Sequence, residues 1–216
     1  MTGPDSAAKF AGAMRALPLV AILRGLDPDE AGAVGAVLVQ AGWNLLEVPL
    51  NSPRPLASIA ALVEAFPQAL VGAGTVLSAA AVREVHAAGG QLIVAPNFNA
   101  SVVLEARRLG MVCIPGVATP TEAFDALDAG ASALKLFPAE LVTPAALKAM
   151  RAVLDPRSLL LPVGGITPTN MATYRAAGAD GFGIGSALYK PGQDAVVVAG
   201  NAAHFAAVFR SLSAVA

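Results

Sequence analysis

Short runs rich in Val, Ile and Leu alternate along the chain with longer Ala-rich runs in which apolar positions recur at helical spacing. That alternation is the pattern of a parallel sheet with crossover helices. It predicts eight strands, at Leu19 to Leu23, Leu45 to Val48, Leu70 to Ala73, Gln91 to Ala95, Val112 to Ile114, Ala133 to Leu136, Leu159 to Val163 and Gly181 to Ile184. Helices are expected to begin at Asp27-Pro28, Ser52-Pro53, Ser78, Asn99, Thr119-Pro120, Thr143-Pro144 and Thr167-Pro168. Each of these offers a capping side chain, and five place Pro just after it. Glycines 42, 89, 110, 130 and 178 follow helical runs and mark left-handed C-caps before the next strand. The strand-plus-helix unit is compact, and eight such units close into an α/β single-domain (β/α)8 barrel over residues 1–216. An open doubly wound sheet is the alternative. Residues 1–16 precede the first strand and are expected to add an N-terminal helix across the barrel base.

Composition fits one well-filled domain, since 56% of the 216 residues are hydrophobic and only 13% are charged. Fourteen basic against fifteen acidic residues, without a run of like charge, offer no nucleic-acid or membrane patch. No apolar stretch approaches a membrane span without a polar or Gly/Pro interruption, so the expectation is a soluble, cytoplasmic chain. The segments Ala31 to Ala41 and Ala57 to Ala65 carry few charges for the outside of a barrel, which points to self-association. The single cysteine, Cys113, sits in an apolar run and reads as an inert packed thiol. His86 and His204 fall in helical segments without ligand spacing, so no metal is expected, and no other cofactor.

In a barrel the chemistry lies where each strand stops at its C-terminal end. The residues there are Arg24, Glu47, Thr75, Pro96-Asn97, Pro115-Gly116, Lys135, Gly164-Gly165 and Gly185-Ser186. Lys135 lies inside the apolar run Ala133-Leu134-Lys135-Leu136-Phe137. Burial there lowers an amine's pKa and leaves a nucleophile for carbonyls, although a structural ion pair would occupy the same place. Glu47, within Leu45-Leu46-Glu47-Val48-Pro49, is a carboxylate on another buried strand. A buried pair of this kind rarely adds stability, which favours chemical use, with the carboxyl moving protons for a lysine that forms an imine. The glycine-rich turns after the seventh and eighth strands present backbone amides where barrels of this type bind phosphate, and Arg24 can add a guanidinium.

Six motifs carry a resemblance: Ala21-Ile22-Leu23-Arg24-Gly25, Glu47-Val48-Pro49-Leu50-Asn51-Ser52-Pro53, Gly72-Ala73-Gly74-Thr75-Val76, Ile114-Pro115-Gly116, Leu134-Lys135-Leu136-Phe137-Pro138 and Val163-Gly164-Gly165-Ile166. Together, from Leu17 to about Tyr189, the chain resembles the bacterial class I aldolases that cleave 2-keto-3-deoxy-6-phosphogluconate or its galactonate epimer. The resemblance implies a (β/α)8 barrel in which Lys135 forms the Schiff base and Glu47 is the general acid/base. It also implies that Thr75 binds substrate, that Gly165, Gly185 and Ser186 belong to phosphate turns, and that the assembly is a homotrimer. The gluconate enzymes typically have Glu-Val-Thr-x-Arg-Thr after the second strand and Thr-Gly-Gly after the seventh. Glu47-Val48-Pro49-Leu50-Asn51-Ser52 and Val163-Gly164-Gly165 depart from both and look like the galactonate branch. Arg24 is then expected to take over a ligand role from the missing arginine, and Val163 to bear on which epimer is accepted. A phosphosugar epimerase or isomerase barrel and a noncatalytic phosphosugar-binding barrel are the competing readings.

Overall fold

The computed structural model describes residues 6–213. Its elements follow in chain order as α1 (Ser6–Ala16), β1 (Leu19–Ile22), α2 (Pro28–Gln40), β2 (Leu45–Pro49), α3 (Pro55–Ala65), β3 (Leu70–Gly74), α4 (Ala79–Ala87), β4 (Leu92–Val94) and α5 (Ala100–Arg108). There follow β5 (Val112–Ile114), β6 (Gly116–Val117), α6 (Pro120–Asp128), β7 (Leu134–Leu136), α7 (Pro144–Arg151), β8 (Leu160–Pro162), α8 (Met171–Ala176), β9 (Phe182–Ile184) and α9 (Ala195–Ser213). Every strand pairing is parallel, as eight crossover units require.

The ladder runs in two sections, β5-β4-β3-β2-β1-β9 and β6-β7-β8. Pro115 accounts for one break: it has no N–H to donate, so the fifth barrel strand is divided into β5 and β6 although the chain passes straight through. Its carbonyl still accepts the Lys135 N–H at 2.9 Å. At the other break, β8 and β9 meet through an isolated bridge between Val163 and Gly183 and through the Asp180 N–H, which donates to the Leu160 carbonyl at 2.9 Å. The result is a curled sheet in the (β/α)8 arrangement, with the expected eight strand positions.

Alternation along each strand sorts side chains into two cores. Val20, Leu45, Leu70, Leu92, Val112 and Leu161 point inward and form one cluster with Phe10 and Ala13 of α1. Helix α1 thus closes the barrel base as expected; the first five residues of the predicted segment lie outside the described residues. Ala21, Leu46, Val71, Ile93, Cys113 and Leu134 point outward into the larger core beneath the helices. Each fully buried Leu or Ile there contributes about 1.5–3 kcal/mol. Helix α9 is long and apolar enough by composition to cross a membrane, but Val198, Ala202, Phe205, Ala206 and Phe209 recur on one face and are buried against the barrel. The buried Trp43 donates its indole N–H to the Ala202 carbonyl of that helix at 3.1 Å.

Asp27, Ser78, Asn99, Thr119 and Thr143 cap their helices through their side chains, with a full capping box between Thr119 and Glu122. Two predicted starts are displaced. Helix α3 begins at Pro55 after Arg54, whose φ is 40°, because the Ser52 hydroxyl is committed elsewhere, accepting the Gly25 N–H at 2.9 Å. Helix α8 begins at Met171, because Asn170 folds back on the preceding turn: it accepts the Thr167 N–H at 3.0 Å and donates to the Gly165 carbonyl at 2.8 Å. The segment before α8 lines the mouth described next, and the Ser52 bond ties the start of α3 to the loop that carries Arg24.

Candidate active site

At the C-terminal end of the strands lies a cleft of about 250 Å³. Arg24, Thr75, Lys135, Val163, Gly164, Gly165, Gly185 and Ser186 all line it. Strand alternation delivers the central pair. On β7, Leu134 and Leu136 face the helices, which turns Lys135 inward. On β2, Leu46 and Val48 face outward and Leu45 inward, so Glu47 shares the inward face.

Glu47 sits beneath the cleft surface, only 1% exposed, and its Oε2 has no hydrogen-bond partner. Burial raises its pKa from 4.5 to about 7, against the opposing pull of Lys135 and Arg24. Lys135 is 7% exposed, and burial lowers its pKa, with Glu47 acting to raise it and Arg24 to lower it further. Below the amine the barrel interior is apolar, lined by Val20, Ile22, Val94, Ile114 and Leu161, so the ammonium has little solvation to gain. The pair is coupled through space rather than by direct contact: no ion pair joins them. Such a site holds an amine and a carboxyl that both change protonation at modest cost, which is what carbonyl condensation needs.

Three contributors escape a reading of strand ends alone. Gly74 faces Glu47 from β3, and a Cβ there would lie 1.9 Å from Oε2, so the carboxyl occupies the space of the missing side chain. The Phe137 ring lies 4.5 Å from the Lys135 Nζ and supports positive charge on that nitrogen. Asn51 accepts from the Arg24 guanidinium at 2.7 Å. All three lie within the quoted motifs, yet only their neighbours Thr75, Lys135 and Glu47 had a visible chemical signature. Thr75 itself has a φ of 57°, a left-handed conformation uncommon for a β-branched residue and of the kind that collects at functional sites. Gly164 and Gly165, at φ 108° and 60°, form the turn that Asn170 ties down.

No group of three His, Cys, Asp or Glu among the described residues is arranged to hold a metal ion. His86 and His204 lie exposed on α4 and α9. The Cys113 thiol is buried and pushed up to about 12, which leaves it unreactive.

A family profile described as KDPG and KHG aldolase matches residues 11–203. The chain belongs to the KDPG and KHG aldolase family. It is an aldolase, a carbon–carbon lyase of carbohydrate metabolism. The 2-dehydro-3-deoxy-6-phosphogalactonate aldolase of Escherichia coli K12 is 47% identical over 195 residues, which cover 90% of this chain and 95% of that one. A solved structure described as native KDPGal superposes with a TM-score of 0.90 at 46% identity, covering 92% of this chain and 97% of the other. The KDPG aldolase of Legionella pneumophila, whose structure holds pyruvate captured as a covalent carbinolamine, superposes with a TM-score of 0.77 at 25% identity, covering 93% and 96%. These aldolases share the barrel architecture of this chain.

Proposed function

We propose that this aldolase cleaves 2-dehydro-3-deoxy-6-phospho-D-galactonate to pyruvate and D-glyceraldehyde 3-phosphate through a Schiff base on Lys135. The observation that carries the reading is a coupled pair at the floor of the cleft, Lys135 lining it with a lowered pKa and the buried Glu47 beneath its surface, raised to about 7. The neutral Lys135 amine adds to the C2 carbonyl, giving a carbinolamine. Protonated Glu47 delivers a proton to the departing hydroxyl, water leaves, and a protonated imine remains. Its positive nitrogen takes the place of the ammonium beside the Phe137 ring. The Glu47 carboxylate then takes the C4 hydroxyl proton, the C3–C4 bond breaks, and its electrons pass into the imine to give an enamine as glyceraldehyde 3-phosphate departs. Glu47 returns that proton to C3 of the enamine, then takes one from the water that attacks the imine, and pyruvate and the free lysine are released.

The Gly164-Gly165 and Gly185-Ser186 turns and Arg24 receive the anionic groups, and Thr75 holds the substrate on the opposite side of the cleft. Val163 puts a methyl where a threonine hydroxyl would bond one epimer, and the galactonate relative at 47% identity supports the same assignment. The enzyme works in the cytoplasm without a metal, as a homotrimer. Exposed Leu77, Leu104 and Phe124 supply apolar surface for that assembly.

Incubation with pyruvate and borohydride tests the reading. A mass corresponding to reductively trapped pyruvate is expected on the peptide containing Lys135 and absent in Lys135→Met. An unlabelled wild-type peptide would refute the imine.

A further inference from the structure

Arg24 is the only guanidinium lining the cleft among the described residues, yet its own setting does little to aim it. It lies two residues beyond the end of β1 and is exposed to solvent. A free arginine there would sample many rotamers and lose that freedom on binding an anion. One contact restricts it: Nη1 donates to Asn51 Oδ1 at 2.7 Å. The same two loops are joined again by the Gly25 N–H, which donates to the buried Ser52 hydroxyl at 2.9 Å. Just below, the Leu23 N–H continues the strand pairing by donating to the Glu47 carbonyl at 2.9 Å. The segment that carries the proton-transfer carboxyl therefore also carries the acceptor that orients the anion-binding guanidinium.

We propose that Asn51 is a positioning residue of the aldol reaction, its Oδ1 holding the Arg24 guanidinium over the cleft so that one rotamer meets the anionic end of the substrate. The inference rests on the aldolase reading above. Asn51 does not line the cleft, so its effect on turnover passes through Arg24. Preorganisation of this kind strengthens substrate binding more than the bond-breaking step, because the hydrogen bond restricts the guanidinium alike before and during bond breaking. The replacement of the family's arginine by Asn51, noted above, fits the same picture: the cation is supplied from β1 and held at the β2–α3 loop.

A double-mutant cycle tests this with kcat and KM measured by pyruvate release from the phosphorylated keto-deoxy acid. Asn51→Ala is expected to raise KM about tenfold, the weight of one hydrogen bond to a charged group, with a much smaller change in kcat. In an Arg24→Ala background the same substitution is expected to change kcat/KM less than twofold. Equal effects of Asn51→Ala in the two backgrounds would overturn the proposal, as would an unchanged KM in the single variant. Thermal melts of all four proteins accompany the cycle, and a merely structural Asn51 would lower kcat/KM alongside the melting temperature in both backgrounds. Borohydride trapping of pyruvate on the wild-type enzyme separates the two failures. A labelled Lys135 with an additive cycle overturns only the role of Asn51, whereas an unlabelled enzyme overturns the aldolase reading.

Discussion

Glu47→Gln separates the chemical use of the buried carboxyl from its cost to the fold. The side chain is 1% exposed with one oxygen unbonded, and its pKa is raised from 4.5 to about 7. Between those pH values the folded protein keeps a proton that the unfolded chain has released, so the native state binds more protons than the unfolded one and stability falls as pH rises through the window. At about 1.4 kcal/mol per pH unit, the full loss above neutrality is roughly 3 kcal/mol. The attraction of Lys135 is already contained in that figure, since it acts to lower the Glu47 pKa and is outweighed by burial. Glutamine keeps the shape of the protonated acid and never ionises. At pH 8 the variant is expected to be more stable by about 2–3 kcal/mol, or roughly 5–10 °C in melting temperature for a chain of this size. At pH 4.5 the two proteins are expected to melt together. Differential scanning calorimetry from pH 4.5 to 8 checks the trend, and pyruvate release at pH 8 is expected to fall about 10²–10⁴-fold. A stability difference that stays constant with pH, or a variant that is less stable at pH 8, would refute the reasoning that burial raises this carboxyl.

Two further substitutions probe the surroundings of the pair. Gly74→Ala would place a Cβ 1.9 Å from Glu47 Oε2, so the carboxyl must move. The expected outcome is a kcat lowered at least tenfold with about 1–3 kcal/mol lost from the fold, and a wild-type kcat would show that the placement of the carboxyl is not critical. Val163→Thr, at a position 7% exposed on the cleft wall, is expected to move the kcat/KM ratio toward the gluconate epimer by about tenfold. Steady-state kinetics on both epimers measure it, and an unchanged ratio would remove Val163 from the determinants of specificity.

The order of strands and helices was legible in the chain because each element carries its own signals. Apolar runs stop at turn residues, and Asp27, Ser78, Asn99, Thr119 and Thr143 satisfy backbone donors within their own helices. Ser52 and Thr167-Pro168 show where such reasoning stops. The Ser52 hydroxyl bonds Gly25 across the loops, and the Thr167 segment is bound by Asn170, so neither starts a helix where expected. Residue type and strand position likewise brought forward Lys135 and Glu47, because an ionisable group in an apolar run is conspicuous in one dimension.

What those groups do to one another is a property of register. Inward alternation on β2 and β7, with Gly74 making room from β3, puts both side chains in one dry interior, and desolvation then moves their pKa values toward each other. Phe137 beside the amine carries no signal of its own in the sequence, and the Asn51 departure from the family's arginine does not by itself show that it faces Arg24. The sequence by itself determined the barrel and its ionisable residues, since periodicity, caps and residue chemistry are local. Only the tertiary structure decided which of them share a cleft and how readily each gives up a proton, because burial and distance depend on strands far apart along the chain.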